Sequence, residues 1–300
     1  MLIETRCPLG GDIAFDREVY PANVDLNQLT SDRFSARRLP DRIHYRIVRN
    51  LETNTIRSCP ILDEESLNRL YRASAVNYEP IADYASRTYL HYAQQALSIL
   101  KDKRGLLEIG CGHGFFLKAA SIFGFDRIAG IEPSSEAVSK APPELRGLIK
   151  EGALQSGLFE PESFSLVCGF QVLDHLAAPN EALQICKSYL APGGVMLWIC
   201  HDIASPLARM LGERCPMIDV QHIVLYDRKT VAKLFRRNGY EVCDVFGVSN
   251  CYPLSYWMHL MPIPAGIKRM LLPFMDFSSV GAMTLKANLG NLGILARKPL

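Results

Sequence analysis

A glycine-rich turn after a short apolar run constrains this chain more than any other segment. Residues 105–110 read as a buried strand with one acid, Glu108, near its end. Three glycines alternate at the turn that follows: Gly110, Gly112 and Gly114. A helix is expected directly afterwards, so the glycines allow the backbone to approach a ligand closely at a helix N-terminus.

The spacing of the glycines distinguishes between cofactors. A second acid, Glu132, ends the next apolar run and suits hydrogen bonds from two ribose hydroxyls. A dinucleotide fingerprint needs glycine at position 115, where this chain has Phe. The pattern E-x-G-x-G-x-G resembles the first motif of the class I S-adenosylmethionine (SAM) methyltransferases, which implies SAM as the cofactor. The alternative is an ordinary tight turn between a strand and a helix.

Strand and helix patterns alternate from residue 105 onward, which predicts an α/β protein with a mostly parallel sheet. Strands are expected at 105–110, 127–132, 146–151, 164–170, 194–200, 240–247 and 289–297. Helices are expected near 114–123, 134–140, 179–190 and 229–238. The resemblance implies a Rossmann-like, seven-stranded sheet with helices on both faces, and its ligand lies at the carboxyl ends of the strands.

Later segments match the same family in order. Residues 164–176 are similar to its fourth-strand motif, and residues 190–195 resemble its turn into the fifth strand. The resemblance implies cofactor contacts from Glu108, Gly110, Cys111, Gly112, Gly114, Glu132, Pro133, Gly169, Phe170, Gln171 and His175. The family often places an acid after the third strand against adenine. Here Ala153 offers no side chain, so the backbone of Ala153 or Leu154 is expected there instead.

Three histidines lie near the expected active edge. His175 follows the fourth strand beside Asp174, His201 follows the fifth, and His222 lies in the insertion after it. A histidine suits the role of base if the methyl acceptor is a hydroxyl or an acidic carbon. Related enzymes often carry a histidine in the insertion after the fifth strand, which favours His222 as the base. The alternative for each of them is a purely structural role, in which a loop histidine is hydrogen-bonded to nearby backbone.

A metal site at the same place is the alternative to a histidine base. Ubiquinone-pathway O-methyltransferases show E-x-x-E-H after the fourth strand, and Gln171, Asp174 and His175 stand at the matching places. Glutamine removes one anionic ligand for a hard cation, so no metal is predicted. Aromatic side chains are candidates for the pocket wall: Tyr78, Tyr84, Tyr89, Tyr252, Tyr256 and Trp257.

The first part of the chain resembles an N-terminal zinc ribbon of bacterial methyltransferases. Cys7-Pro8-Leu9-Gly10-Gly11 is similar to a C-P-x-C-G knuckle, and residues 49–54 stand where a second, cysteine-bearing knuckle would fall. Structural zinc needs four ligands, so a degenerate ribbon without metal is predicted. The expected domains are residues 1–75 and a methyltransferase domain, 76–300, with cap insertions near 201–228 and 250–286.

Composition limits the partners. The net charge is +2, which gives no electrostatic footprint for nucleic acid. An odd number of cysteines, nine, without regular spacing indicates reduced thiols in a cytoplasmic protein, and no signal peptide is expected. Prolines and charges interrupt residues 254–274, which predicts a cap over a pocket rather than a membrane-inserted helix. Docking on a membrane surface is the alternative.

These features predict a SAM-dependent methyltransferase that acts on oxygen or carbon of a small molecule, either a sugar or a secondary metabolite. The alternative, from another functional class, is a noncatalytic protein with a SAM-binding fold that serves as a partner or scaffold. The intact glycines and Glu132 favour the enzyme.

Overall fold

The structure is a computed structural model that describes residues 1–35, 41–75, 81–260 and 265–300. Its strands are β1 Leu2–Ile3, β2 Asp16–Tyr20, β3 Ile47–Asn50, β4 Ile56–Ser58, β5 Ile61–Leu62, β6 Leu106–Ile109, β7 Ile128–Glu132, β8 Ile149–Glu151, β9 Phe164–Phe170, β10 Leu190–His201, β11 Val224–Leu225, β12 Glu241–Pro253 and β13 Thr284–Arg297. Its helices are α1 Glu64–Arg72, α2 Ala82–Leu97, α3 Phe115–Ala120, α4 Ser135–Ser139, α5 Pro143–Arg146, α6 Pro179–Tyr189, α7 Pro206–Leu211, α8 Arg228–Arg237, α9 Leu254–Leu260, α10 Ala265–Phe277 and α11 Ser279–Ala282.

The central sheet has seven strands in the order β12-β13-β10-β9-β6-β7-β8. The five strands from β8 to β10 are parallel, and β13 runs antiparallel to both of its neighbours. This arrangement confirms the predicted α/β, Rossmann-like fold. The parallel strands end at one edge of the sheet, where their loops form the site.

Alternate residues of the central strands enter two separate cores. Leu107 and Trp198 pack with α6 and α8 on one face, whereas Leu106 and Leu197 pack with α2 and α3 on the other. Both faces are therefore covered by helices, which explains why these strands read as continuous apolar runs.

Several predicted strand boundaries differ from the structure: β12 continues to Pro253, past the expected end at 247, and β13 begins at Thr284, ahead of the expected start at 289. The Pro192-Gly193-Gly194 turn lies inside β10, where the pairing with β9 shifts register and Gly193 adopts a φ of 76°. Gly193 still donates its N–H to the carbonyl of Lys298, so the backbone stays paired through the bulge. Residues 43–49 alternate in polarity, which predicts a strand, but β3 begins only at Ile47, because Asn23 takes over the backbone hydrogen bonds of His44.

The N-terminal region forms a second sheet in the order β11-β4-β3-β2. Its edge strand β11 comes from the first predicted cap insertion, and Val224 pairs with Arg57 of β4. The insertion thus joins the N-terminal sheet as well as covering the site. The proposed domain boundary meets residues 76–80, which lie outside the described part of the chain together with Tyr78, so the division stays a prediction.

A polar cluster occupies the place where the zinc-ribbon resemblance puts a metal. Sγ of Cys7 lies 3.1 Å from Oγ1 of Thr53, which also donates to Oδ1 of Asn50 at 3.1 Å. The two knuckle-like segments therefore meet through hydrogen bonds. The ribbon assignment itself stays a prediction.

Candidate cofactor pocket and histidine cluster

A cavity of about 920 Å³ opens at the carboxyl ends of the parallel strands. This is the edge at which open α/β sheets bind their ligands. Nine of the predicted site residues for the cofactor line it: Glu108, Gly110, Glu132, Pro133, Ala153, Leu154, Phe170, Gln171 and His175.

The turn after β6 holds the carboxylate that ends β7. Gly110, Gly112 and Gly114 have φ angles of 68°, 58° and 82°, a region that favours glycine. Gly112 and Ser134 donate their backbone N–H groups to Glu132, each at 2.8 Å. Burial raises the pKa of Glu132 although these two donors oppose the shift. The carboxyl is fixed at the cavity wall, where its oxygens can accept ribose hydroxyls.

Glu108 lies deeper in the same wall. Its side chain is 2% exposed, and Oε2 has no hydrogen-bond partner among the described residues. Burial, together with the charge of Glu132, raises the pKa of Glu108 well above its usual range. A buried polar atom of this kind, which faces a cavity, fits a polar ligand group that would supply the missing partner.

The loop after β8 and the end of β9 form the floor of the cavity. Gly152, Ala153 and Leu154 line it, whereas Glu151 turns outward to accept a hydrogen bond from Ser135 at 2.6 Å. The ring of Phe170 stacks on Tyr89 with centroids 4.1 Å apart. These contacts give the floor both exposed backbone and a flat apolar surface.

Gln171 directly follows β9 and has a left-handed conformation with a φ of 59°. Its backbone N–H donates to Ile199, and its side-chain amide donates to Oδ1 of Asn291 at 3.1 Å. Such strain in a residue other than glycine persists where neighbours hold it, commonly at a functional site. Here it holds the half-buried amide of Gln171 at the cavity wall.

Four predicted cofactor contacts do not line the cavity. Cys111 packs against Gly130, and a Cβ added to Gly169 would meet the ring of Trp198 at 2.5 Å. Gly114 forms the N-cap of α3, and Gly112 acts through its bond to Glu132. The positions of these residues are structural: they allow the turn and the close packing beneath the ligand.

The three candidate histidines meet around one buried carboxylate. Nδ1 of His201 donates a hydrogen bond to Oδ2 of Asp174. The rings of His175 and His201 lie 4.9 Å and 4.6 Å from that of His222. Burial opposes ionisation of Asp174, but the attraction to His201 and the hydrogen bond from it, with smaller contributions from His222 and His175, outweigh burial and lower the pKa of the carboxyl.

The histidines differ in their remaining contacts. His222 is 9% exposed and donates from Nδ1 to the carbonyl of Met217 at 2.9 Å. Burial, and then the charge of His201, lower the pKa of His222, which favours the neutral form of this ring. The side chain of His201 is 25% exposed at the cavity wall.

Tyr71 is a site residue that the sequence did not single out. Its hydroxyl lies 3.0 Å from Nδ1 of His175, and both side chains line the cavity. Tyr71 sits in the last turn of α1, far from the strand ends along the chain. Only the contact between α1 and the loop after β9 brings it to the site.

The fold and this pocket agree with the comparison to known families. The profile of the methyltransferase domain family matches residues 81–245, more than half of the chain. The chain belongs to this family. SAM is accordingly its cofactor, and the glycine turn, Glu132 and the orphaned Oε2 of Glu108 provide a wall that fits it.

Relatives of this methyltransferase match only part of it. It is 28% identical over 123 residues to a ubiquinone biosynthesis O-methyltransferase of Paraburkholderia phymatum, which covers 36% of this chain and 49% of that protein. It is 30% identical over 159 residues to an uncharacterised methyltransferase of Schizosaccharomyces pombe, which covers 47% and 54%. The chain thus spans about half the length of these curated relatives.

A solved structure shows the same fold. The YcgJ protein of Bacillus subtilis superimposes with a TM-score of 0.51 and 16% identity, and covers 71% of this chain and 99% of that one. At this identity the likeness supports the fold alone.

The methyltransferase also groups three side chains that could bind a metal at the site. Within the described residues, Asp174, His175 and His222 form the one such group, with ligand atoms all within 4.8 Å of one another. Oδ1 of Asp174 has no hydrogen-bond partner there, while Oδ2 is already bonded to His201. His222 adds a nitrogen to the predicted Asp174 and His175 pair, and Gln171 is not in the group.

Proposed function

We propose that this methyltransferase transfers the methyl group of SAM to an oxygen or an acidic carbon of a small molecule, with His201 as the base. The observation that carries the proposal is the hydrogen bond from His201 to the buried Asp174 on the wall of the cofactor cavity. A histidine oriented by a buried carboxylate is an arrangement that suits a general base.

The residues at the cofactor end of the cavity support specific roles in binding SAM. Glu132 would accept the ribose hydroxyls, and the backbone of Ala153 and Leu154 would meet the adenine. The glycine turn admits the cofactor close to the backbone. SAM, when bound, supplies a methyl group on an electrophilic sulfonium, so the protein's task is to place a nucleophile in line with it.

At the acceptor end of the cavity, we expect His201 to take the proton from the methyl acceptor. Asp174 holds His201 through Nδ1, which leaves Nε2 on the far side of the ring to take a proton from the acceptor. This favours His201 over His222, whose Nδ1 is bonded to Met217 and whose ring is almost fully buried. His222 and His175 act as positioning residues that pack around the Asp174–His201 pair.

The cap supports a small acceptor with an apolar part. Its side chains on the cavity wall are largely aromatic or aliphatic: Tyr252, Leu254, Tyr256, Trp257, Met275 and Leu285. Enclosed cavities of this size take small molecules, with a few polar groups that fix orientation. An O-methyltransferase of ubiquinone biosynthesis among the relatives is in line with such an acceptor. A secondary metabolite fits these walls better than a sugar does.

The test is methyl transfer from labelled SAM into fractionated small-molecule extracts, followed by identification of the labelled product. A labelled product that is absent with His201→Ala, while SAM binding measured by calorimetry is retained, supports the proposal. SAM binding without transfer to any fraction would support the noncatalytic alternative. A labelled protein or nucleic acid instead of a small molecule would contradict the proposed acceptor class.

A further inference from the structure

The outer face of α10 carries an exposed apolar stripe. Four side chains spaced three, four and three residues apart form it: Ile267, Met270, Phe274 and Phe277. They are 46%, 71%, 65% and 94% exposed. Residues at this spacing share one face of a helix, and in a soluble protein such a face normally packs against a core.

The neighbouring elements extend this surface. α11 packs against α10 and is followed by β13. Two further exposed apolar side chains belong to α11 and to the residue that follows it: Val280 and Met283. An apolar surface of this extent marks an interaction site.

The charge around the stripe is positive. Lys268, Arg269 and Lys286 lie in residues 250–286, whose one acid, Asp276, is 3.2 Å from Nε2 of His259. Burial, and then the nearby charge of Arg42, lower the pKa of Lys268. Arg42 of the N-terminal region therefore adds to the same basic surface.

The inner side of α10 faces the site. Met275 lines the cofactor cavity together with Leu285 and Leu289. α10 is thus a wall with the cavity on one side and the stripe on the other, so anything bound to the stripe lies next to the cavity.

We propose that α10 docks this protein on an anionic lipid membrane, with the apolar stripe in the headgroup region and the basic side chains against lipid phosphates. A helix that is apolar on one face and flanked by Lys and Arg lies in the membrane interface. No described helix is long and apolar enough to cross a membrane, which suits a surface position. A second copy of the chain would bring like charges together, whereas anionic lipid complements them.

The test is co-sedimentation of the full chain with vesicles of phosphatidylglycerol or of phosphatidylcholine. Binding is expected to be stronger to phosphatidylglycerol and to weaken as salt is added. Phe274→Glu with Phe277→Glu should weaken binding about tenfold or more, since both rings leave the lipid. Ile122→Glu, at an exposed apolar residue of another element, is the matched control and should bind like the unmodified chain.

The charged and apolar parts are separated by a further variant. Arg269→Glu should weaken binding to phosphatidylglycerol and leave binding to phosphatidylcholine unchanged. Each variant should retain SAM binding by calorimetry, and Phe277→Ser, at a side chain that is 94% exposed, serves if the double variant does not fold. Absence of binding by the unmodified chain, or equal binding by the Phe variants, would overturn the proposal. So would a dimer in sedimentation that Phe277→Ser dissociates while vesicle binding is absent.

Discussion

Nδ1 of His201 is bonded to Oδ2 of Asp174, a carboxylate buried beneath two further histidine rings. The pair joins the last residue of β10 to the turn that follows the neighbouring parallel strand β9, and the N–H of Ile223 holds that turn through the carbonyl of Asp174. The lowered pKa of Asp174 keeps the carboxylate charged, and this charge fixes the orientation of the His201 ring.

His201→Ala is expected to lower kcat by about 10²–10⁴-fold, the usual range for loss of a general base. The affinity for SAM should hardly change, because His201 is not assigned to the cofactor. Steady-state kinetics and calorimetry on the same preparations measure both. His222→Ala and His175→Ala are the controls. A larger loss of kcat in His222→Ala, with His201→Ala near the unmodified enzyme, would move the base to His222, the residue that the sequence favoured.

Glu132→Ala is expected to raise the Kd for SAM about 10- to 100-fold, because a charged hydrogen-bond acceptor is lost from the cavity wall. Gly112→Val should have a larger effect, since a β-branched residue is strained at a φ of 58°. Calorimetric titration measures the affinities, and thermal melting checks folding. Glu144→Gln and Gly147→Ala, both away from the cavity, should bind SAM normally. Unchanged affinity in folded Glu132→Ala would rule out the assigned ribose contact.

Purified protein is expected to contain no stoichiometric zinc, because hydrogen bonds among Cys7, Thr53 and Asn50 occupy the knuckle position. Elemental analysis measures this, and about one zinc per chain would contradict it.

Methyl transfer activity is expected to survive treatment with EDTA, because no catalytic metal is predicted. If EDTA abolishes activity and magnesium restores it, the group of Asp174, His175 and His222 binds a catalytic cation, and Asp174→Asn should then abolish the rescue.

Asp16→Asn is expected to destabilise the protein by about 3–5 kcal/mol at neutral pH, because it leaves the buried guanidinium of Arg57 unpaired. Burial opposes the charge of Asp16, but hydrogen bonds from Arg57 and Asn50 prevail and lower its pKa. The stabilisation is therefore complete above the unfolded-state pKa of about 3.9 and is lost as the pH falls through the lower folded-state value. Denaturant unfolding of both proteins across this pH range measures the difference. The exposed Asp32→Asn is the control. A difference that does not shrink in acid would count against the ion pair.

The sequence was sufficient to predict the mostly parallel sheet and the edge of it at which the site lies. Continuous apolar runs marked β6, β7 and β9, and the carboxyl-end rule brought His175, His201 and His222 to one place. The pairing of His201 with Asp174 was not predictable, because it depends on the register of β9 against β10. Tyr71 was missed for a similar reason: α1 reaches His175 only through tertiary packing. β11 has two residues, too few for any periodic signal.

The two-residue strand β11 also makes completion of the N-terminal sheet depend on residues much later in the chain. β4 pairs with β3 on one side and obtains its second neighbour from Val224 and Leu225, and Ser58 donates its N–H to the carbonyl of Ile223. During synthesis the N-terminal sheet must therefore wait with an open edge until most of the methyltransferase domain has left the ribosome. A fragment that stops near residue 75 would keep that edge exposed, so the N-terminal region matures as part of the enzyme and not ahead of it.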